Sequence, residues 1–404
     1  MKSERQVVVT GIGLVAPNGI GRVPFWRSLL AAESGIGPIT LFDASDLACR
    51  IAGEVHDFVP AEHVHVEKPH RLARQTQFGL CAAEEAIEDA GLDATYLKTL
   101  IGIPVILGVS SNAMELAAKP ASPLTTVTGI PHAVASAIAY GHELDAPLLT
   151  VSDGCASSLD AVAAAAAMIR QGKADIAIAG GSDSSMSRFI FESFTRSRKV
   201  STRNEEPARA SRPFDRDRDG GLVAEGAGIM ILESREHALA RRAHTYARIE
   251  GYANFADRPG SREGEGLGRT MHMALANACL GAGLIDAVFA HAPSDSHMDA
   301  IETEMIKQAL GPHAFRIPVT SIKGVTGNPL GAGGVMQLAA ACFSMKHGVV
   351  PPTANYEHPD PLCDLDYPAA PRAARLRHAM INTHGFGRGN ATLIAGRDEE
   401  TDPA

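Results

Sequence analysis

Aromatic residues are scarce in this chain, 5% in all with a single Trp, and positive charge is not in excess. The formal net charge is −9, from 37 Lys and Arg against 46 Asp and Glu. Nucleic acid is thereby excluded as the main partner, because neutralising phosphates requires a basic footprint. No apolar run approaches the length needed to cross a bilayer, so no membrane segment is expected. The six cysteines, Cys49, Cys81, Cys155, Cys279, Cys342 and Cys363, contain no C-x-x-C pair. Such scattered thiols suit a reducing compartment rather than a disulfide framework. The opening Met-Lys-Ser-Glu-Arg runs straight into Val7-Val8-Val9 without the layout of a signal peptide, and the expected location is the cytoplasm.

What is present is the composition of a globular enzyme: 404 residues, 45% apolar, with 39 Gly. That length suffices for two halves of ordinary domain size. Short β-branched runs ending in Gly or Ser predict strands near 6–12, 103–110, 148–152, 175–180 and 227–233. A second set follows near 245–251, 287–291, 317–322, 378–383 and 391–396. Between them lie Ala-rich stretches with helical spacing, such as 73–90, which stops at Gly91. Alternating buried strands and helices predict an α/β architecture. A charged joint at Arg235–Arg242 divides the chain into halves 1–236 and 243–404 with similar element counts, compatible with an internal duplication.

Five segments carry residues capable of chemistry. In Val151-Ser-Asp-Gly-Cys155-Ala-Ser-Ser a strand ends, the chain turns at Gly154, and an Ala-rich helix begins at or just after Cys155. A thiol there meets the positive end of a helix dipole, which favours thiolate over the ordinary pKa of about 8.5. A small buried residue filling tight packing is the alternative. His291 ends an apolar strand in Ala290-His291-Ala-Pro-Ser294-Asp295, with Asp299 and Glu302 on one face of the following helix. A solvated loop would have the same pattern, and a zinc pair with His297 lacks ligand spacing and a third donor. Lys323 leaves a third apolar strand into Gly-Val-Thr326-Gly-Asn328-Pro-Leu-Gly-Ala-Gly-Gly. That turn is no P-loop, because Gly-Lys-Ser/Thr is absent, and Gly11-x-Gly13 lacks the rest of a dinucleotide fingerprint. Asp215, Asp217 and Asp219 imitate a calcium loop, but its twelfth position is Gly226, so a structural ion-pair turn is expected. Finally, Asn382-Thr-His384-Gly385-Phe386-Gly387-Arg388 is a strand leading into a Gly-rich turn, an ordinary hairpin or a close approach to a ligand. No metal and no cofactor is expected.

Taken together and in this order, from Val9-Thr-Gly-Ile-Gly13 to Asn390-Ala-Thr-Leu-Ile-Ala-Gly396, the motifs resemble the beta-ketoacyl synthases of fatty-acid and polyketide synthesis. Arg212-Pro-Phe-Asp215, Arg218-Asp219-Gly220 and Glu225-Gly-Ala-Gly228 match that family's RPFD, RDG and EGAG stretches. The resemblance implies a thiolase-like duplicated five-layer α-β-α-β-α fold, usually a homodimer or a heterodimer with a paralogue. It implies that Cys155 accepts the acyl group, with His291 and Lys323 in the site and Glu302 organising it. It further implies that Phe386 gates the acyl pocket, and that the backbone N–H groups of Cys155 and Phe386 form an oxyanion hole.

Departures from the pattern are informative. The elongating group's second histidine is Asn328 here, so the triad reads Cys155–His291–Asn328. An Asn amide can donate a hydrogen bond to an enolate oxygen but cannot exchange a proton. The family's HGTGT reads His291-Ala-Pro-Ser294-Asp295, and a His, His384, stands where Phe is usual. Ser294, Asp295, Thr326 and His384 are therefore the expected substrate-binding residues. The stretch 112–140 is short for the region that lines the acyl pocket. These changes imply a specialised pathway rather than housekeeping fatty-acid synthesis. The implied reaction is decarboxylative Claisen condensation of an acyl-Cys155 with a malonyl thioester. The alternatives are acyl transfer or cyclisation without decarboxylation, and a chain-length-factor-like partner subunit. An acyl carrier protein with its phosphopantetheine arm is the implied partner. Because carrier proteins are acidic, Lys68, Arg71 and Arg74 are the candidate docking patch, with Arg196, Arg198 and Lys199 as a second cluster.

Overall fold

The computed structural model describes residues 5–118 and 125–398; positions 119–124 of the shortened 112–140 stretch lie outside them. Numbering the elements that position the site, the first half contains β1 (Val7–Ala16), α1 (Arg74–Asp89), β2 (Val105–Gly108), β3 (Leu148–Val151), α2 (Ser157–Arg170), β4 (Ile176–Asp183), α3 (Arg188–Ser197) and β5 (Gly226–Ser234). The second half contains β6 (Ala247–Ala256), α4 (Gly266–Asn277), β7 (Ala287–Phe289), α5 (Ser296–Leu310), β8 (Val319–Thr320), α6 (Gly333–His347), β9 (His378–His384) and β10 (Gly389–Gly396).

Each predicted strand is present with its ends moved by up to a few residues. The halves are built alike. Across the sheet the first runs β3-β2-β4-β5-β1 and the second β8-β7-β9-β10-β6. In both, the first and last strands in sequence are antiparallel neighbours, and the remaining pairs follow the same directions. One feature differs from five separate layers. Val8 and Val9 of β1 pair with Arg248 and Ala247 of β6, joining the two half-sheets into one hydrogen-bonded path.

The packing follows from side-chain size. β1 and β5 are buried along their whole lengths, so their sequences are continuous apolar runs rather than alternating ones. The Ala-rich α2 and the wholly apolar middle of α6 lie in one core between the half-sheets, where methyl-sized side chains let backbone come close. Helix α1 covers the outer face of the first half-sheet, and α4 and α5 cover that of the second. Leu159 on α2 is fully buried in the shared central core, and its truncation to Ala is expected to cost about 2–5 kcal/mol. No helix among the described residues is long and apolar enough to cross a membrane.

Candidate active site

Cys155 lies in the turn between β3 and α2, one residue before the helix N-cap, Ala156. The turn is fastened by Ser157, whose Oγ accepts the Asp153 N–H at 2.7 Å and donates to the Gly154 carbonyl at 2.6 Å. Gly154 has φ 53°, in the region that disfavours side chains. A Cβ there would stand 3.0 Å from the Phe386 nitrogen, and one on Gly385 would stand 3.0 Å from the Cys155 nitrogen. Two glycines thus let the nucleophile turn and the β9–β10 turn touch, bringing the amides of Cys155 and Phe386 to the same place.

The second half delivers the other groups. His291 follows β7, Lys323 follows β8, and Asn328 is held against the first half by backbone bonds to Leu222 and Ala224. The Asn328 Nδ2 donates towards the Cys155 Sγ at 3.6 Å. Glu302, on α5, accepts the backbone N–H groups of His291 at 2.9 Å and Ala292 at 2.8 Å, and the Asn382 amide at 3.1 Å. It fixes the segment carrying His291 rather than touching the thiol. Lys323 is buried and donates to the His291 carbonyl, to His291 Nδ1 at 3.1 Å and to the Gln337 Oε1 at 3.3 Å.

Burial dominates the electrostatics. It pushes the Cys155 thiol above its ordinary range, opposed by the Lys323 charge and the Asn328 hydrogen bond. The helix start does not make this thiol acidic by itself, which corrects the expectation from the sequence. Burial lowers Lys323 to about 8, with Cys155 and the Glu302 and Asp299 carboxylates pulling the other way. Burial, then the Lys323 charge, holds His291 well below the usual imidazole range. Near pH 7 Lys323 is therefore mostly an ammonium ion and His291 is neutral. Because an ammonium only donates, His291 Nδ1 accepts, and its proton resides on Nε2. His291 Nε2–H and Asn328 Nδ2–H are then two neutral donors in one pocket.

That pocket is lined by Cys155, His291, Asn328, Asp295, His384 and Phe386, among others. Two expected substrate contacts are not in its wall. Ser294, with φ 72°, is buried and its Oγ accepts the Arg212 N–H. Thr326 is buried, with its hydroxyl spent on the carbonyls of Ile322 and Gly327. Asp295 reaches the wall while also capping α5 through the His297 and Met298 N–H groups. The docking patch is corrected too. Arg74 forks onto the buried Glu225 and donates to the Val55 carbonyl, a tether between segments and not a free cation. Lys68 and Arg71 are exposed. In the second cluster, Arg196 pairs with Glu192 and Lys199 with Glu263 at the pocket.

The sequence gives no warning of Phe194, whose ring centroid sits 5.4 Å from that of Phe386, since it comes from a segment with no feature of its own. Gln337 is a detectable omission: a lone amide in an apolar helix, it donates to the carbonyls of Phe289, Ala290 and Asn382. The calcium-loop imitation is an ion-pair turn. Among the described residues Asp215, Asp217 and His358 lie close enough for a metal, but the oxygens of Asp215 already accept from Arg212 and three backbone N–H groups.

Two half-sheets of the same strand order that bring a buried cysteine, an imidazole and a carboxamide together in one pocket define an acyl-transferring condensing enzyme of the thiolase-like fold. Residues 4–238 match the family described as beta-ketoacyl synthase, N-terminal domain, and residues 246–357 match beta-ketoacyl synthase, C-terminal domain. The chain belongs to the beta-ketoacyl synthase family. It is 40% identical to the putative polyketide beta-ketoacyl synthase 1 of Streptomyces halstedii, over 96% of this chain and 97% of the relative. It is 36% identical to the 3-oxoacyl-[acyl-carrier-protein] synthase 2 of a Synechocystis strain, over 96% and 97%. Among solved structures, a beta-ketoacyl synthase from Burkholderia phymatum superposes with a TM-score of 0.90 at 29% identity, over 98% of this chain and all of that one. A type II acyl-carrier protein in complex with its ketosynthase gives 0.87 at 30%, with the same coverage.

Proposed function

We propose that Cys155 takes an acyl group as a thioester and that the enzyme condenses it with a malonyl thioester. In the first step the thiolate attacks the acyl thioester carbon, and the carrier's sulfur leaves as thiolate. In the second, the bond from the malonyl carbon to its carboxylate breaks, carbon dioxide leaves, and the freed electron pair forms a bond to the acyl carbon. The Cys155 sulfur departs as thiolate. The observation that carries this reading is the Asn328 Nδ2 placed 3.6 Å from Cys155 Sγ in the pocket that His291 also lines. These two donors suit the thioester oxygen that becomes negative as carbon dioxide leaves, without needing a proton from either. Lys323 keeps His291 in the useful tautomer and supports the thiolate. Glu302 and Gln337 hold the strand ends, and Phe386 against Phe194 gates entry.

The substrate is proposed to arrive on an acyl carrier protein, as in the complex of the solved relative, docking at Lys68 and Arg71. Among the described residues β3 ends the sheet with no strand on its outer edge, and Leu149 on it and Ile101 beside it are 47% and 86% exposed. An unpaired apolar edge invites pairing, and a second ketosynthase chain, identical or paralogous, is the proposed occupant. The proposed setting is a polyketide or fatty-acid-like pathway in the cytoplasm, with halves 1–236 and 243–404 derived by duplication. Mass spectrometry after incubation with an acyl thioester tests the first step, and carbon dioxide release from a malonyl thioester tests the second. An adduct without carbon dioxide would leave only acyl transfer; no adduct at Cys155 would leave a non-catalytic partner subunit.

A further inference from the structure

His384 closes β9, lines the pocket, and is 5% exposed. Its Nδ1 lies 2.8 Å from the Asn390 Oδ1. The orientation of that carboxamide is fixed, because its nitrogen donates to the Asp257 carboxylate at 2.9 Å and the Phe255 carbonyl at 3.0 Å. Asn390 therefore presents an acceptor, and the proton of a neutral His384 sits on Nδ1. The other ring nitrogen, Nε2, is buried without a hydrogen-bond partner among the described residues. It lies 3.7 Å from the Glu263 Oε1, beyond direct bonding. Glu263, also in the wall, is held by Lys199 at 2.9 and 3.0 Å. With the ring neutral, two acceptors thus face each other and nothing among the described side chains donates to both, while the His384 ring stands 6.1 Å edge-to-face from the ring of His291.

We infer that His384 and Glu263 form an acceptor pair that selects pocket occupants bearing a hydrogen-bond donor, an N–H or O–H group. This rests on the thioester reading of the pocket. It gives the wall a function that the Phe implied at this position by the family pattern cannot serve. The donor has two possible sources on a thioester substrate: an amide of the pantetheine arm, or a hydroxyl on the acyl chain.

Thioether probes separate them, and because they cannot acylate a thiol their binding is independent of chemistry at Cys155. Titration calorimetry on the full chain would compare S-butylpantetheine with ethyl butyl sulfide, and S-butylpantetheine with its 3-hydroxybutyl counterpart. In the wild type one comparison is expected to favour the donor-bearing probe by about tenfold, one good hydrogen bond. His384→Phe and Glu263→Ala should each bring that ratio near one, and His384→Gln, which keeps an acceptor, should hold it within about threefold. Loss in the arm comparison identifies a donor of the pantetheine arm; loss in the chain comparison identifies the hydroxyl of the acyl chain. Wild-type ratios near one in both comparisons, or a favoured ratio unchanged in His384→Phe and Glu263→Ala, would overturn the inference.

Discussion

The amide nitrogen of Asn328 lies 3.6 Å from the sulfur of Cys155, across 173 residues of chain and the boundary between the two halves. The contact exists because Asn328 pairs through its backbone with Leu222 and Ala224, which belong to the half that carries the cysteine. A carboxamide here can donate but cannot titrate, so its contribution should not depend on pH. Replacing it with the near-isosteric Leu removes one donor from the developing oxyanion, a loss typically of about 10²–10³-fold in rate. Asn328→Leu is therefore expected to cut carbon dioxide release from a malonyl thioester by about that factor while slowing acylation of Cys155 much less. Equal losses in both steps would mean that the residue serves the thiol alone.

Thiol reactivity gives a second prediction. Burial raises the Cys155 pKa, and the Lys323 charge is foremost among the effects that lower it. Lys323→Met should thus leave Cys155 harder to ionise. Alkylation by iodoacetamide at pH 7.5 is expected to slow by about tenfold, one pKa unit, and its pH profile to move upward. A profile unchanged in the variant would show that the ammonium group has no part in ionising the sulfur.

Strand positions, the α/β layering and the duplicated order of elements were legible in the sequence, because fully buried strands write themselves as continuous apolar runs. Cys155, His291 and Lys323 were legible as well, since each follows such a run at a turn. The sequence was silent wherever the direction of a side chain decides. Ser294 and Thr326 stand among site residues, yet their hydroxyls are satisfied by backbone. Arg74 looks like a surface cation at a helix start, and its partner Glu225 lies 151 residues away. The direction of the Cys155 shift was also misjudged, because desolvation depends on everything packed around the sulfur while the helix dipole is a local property.

The Arg74 correction separates docking from stability. Glu225 is fully buried and bonds Arg74, Ser184 and the Val55 N–H. Removing the guanidinium leaves an uncompensated carboxylate, which typically costs about 3–5 kcal/mol. Arg74→Ala is expected to lower the urea midpoint sharply. The double change Lys68→Ala with Arg71→Ala should leave the midpoint nearly unmoved and weaken carrier-protein binding, more so at low salt. Carrier binding at wild-type strength in the double variant would remove this face as the docking site.

The last prediction concerns the pH dependence of stability. Lys323 has a folded pKa of about 8 against an ordinary 10.5, chiefly through burial. Between those values the unfolded chain holds a proton that the folded one has released, so stability rises with pH across that window. The gain is complete above 10.5 and is lost as pH falls through about 8, below which the fold carries the cost of a buried ammonium ion. A shift of this size corresponds to a difference on the order of 3 kcal/mol. A Cys155→Ser background removes any contribution of the thiol to the measurement. In that background, unfolding free energies from urea titrations at pH 8 and pH 10.5 should diverge between the Lys323 protein and its Lys323→Met variant, with only the former gaining at high pH. Parallel behaviour of the two would mean that the amine keeps its proton throughout. The tautomer assigned to His291 would then persist into alkaline solution, and activity would not decline there on its account.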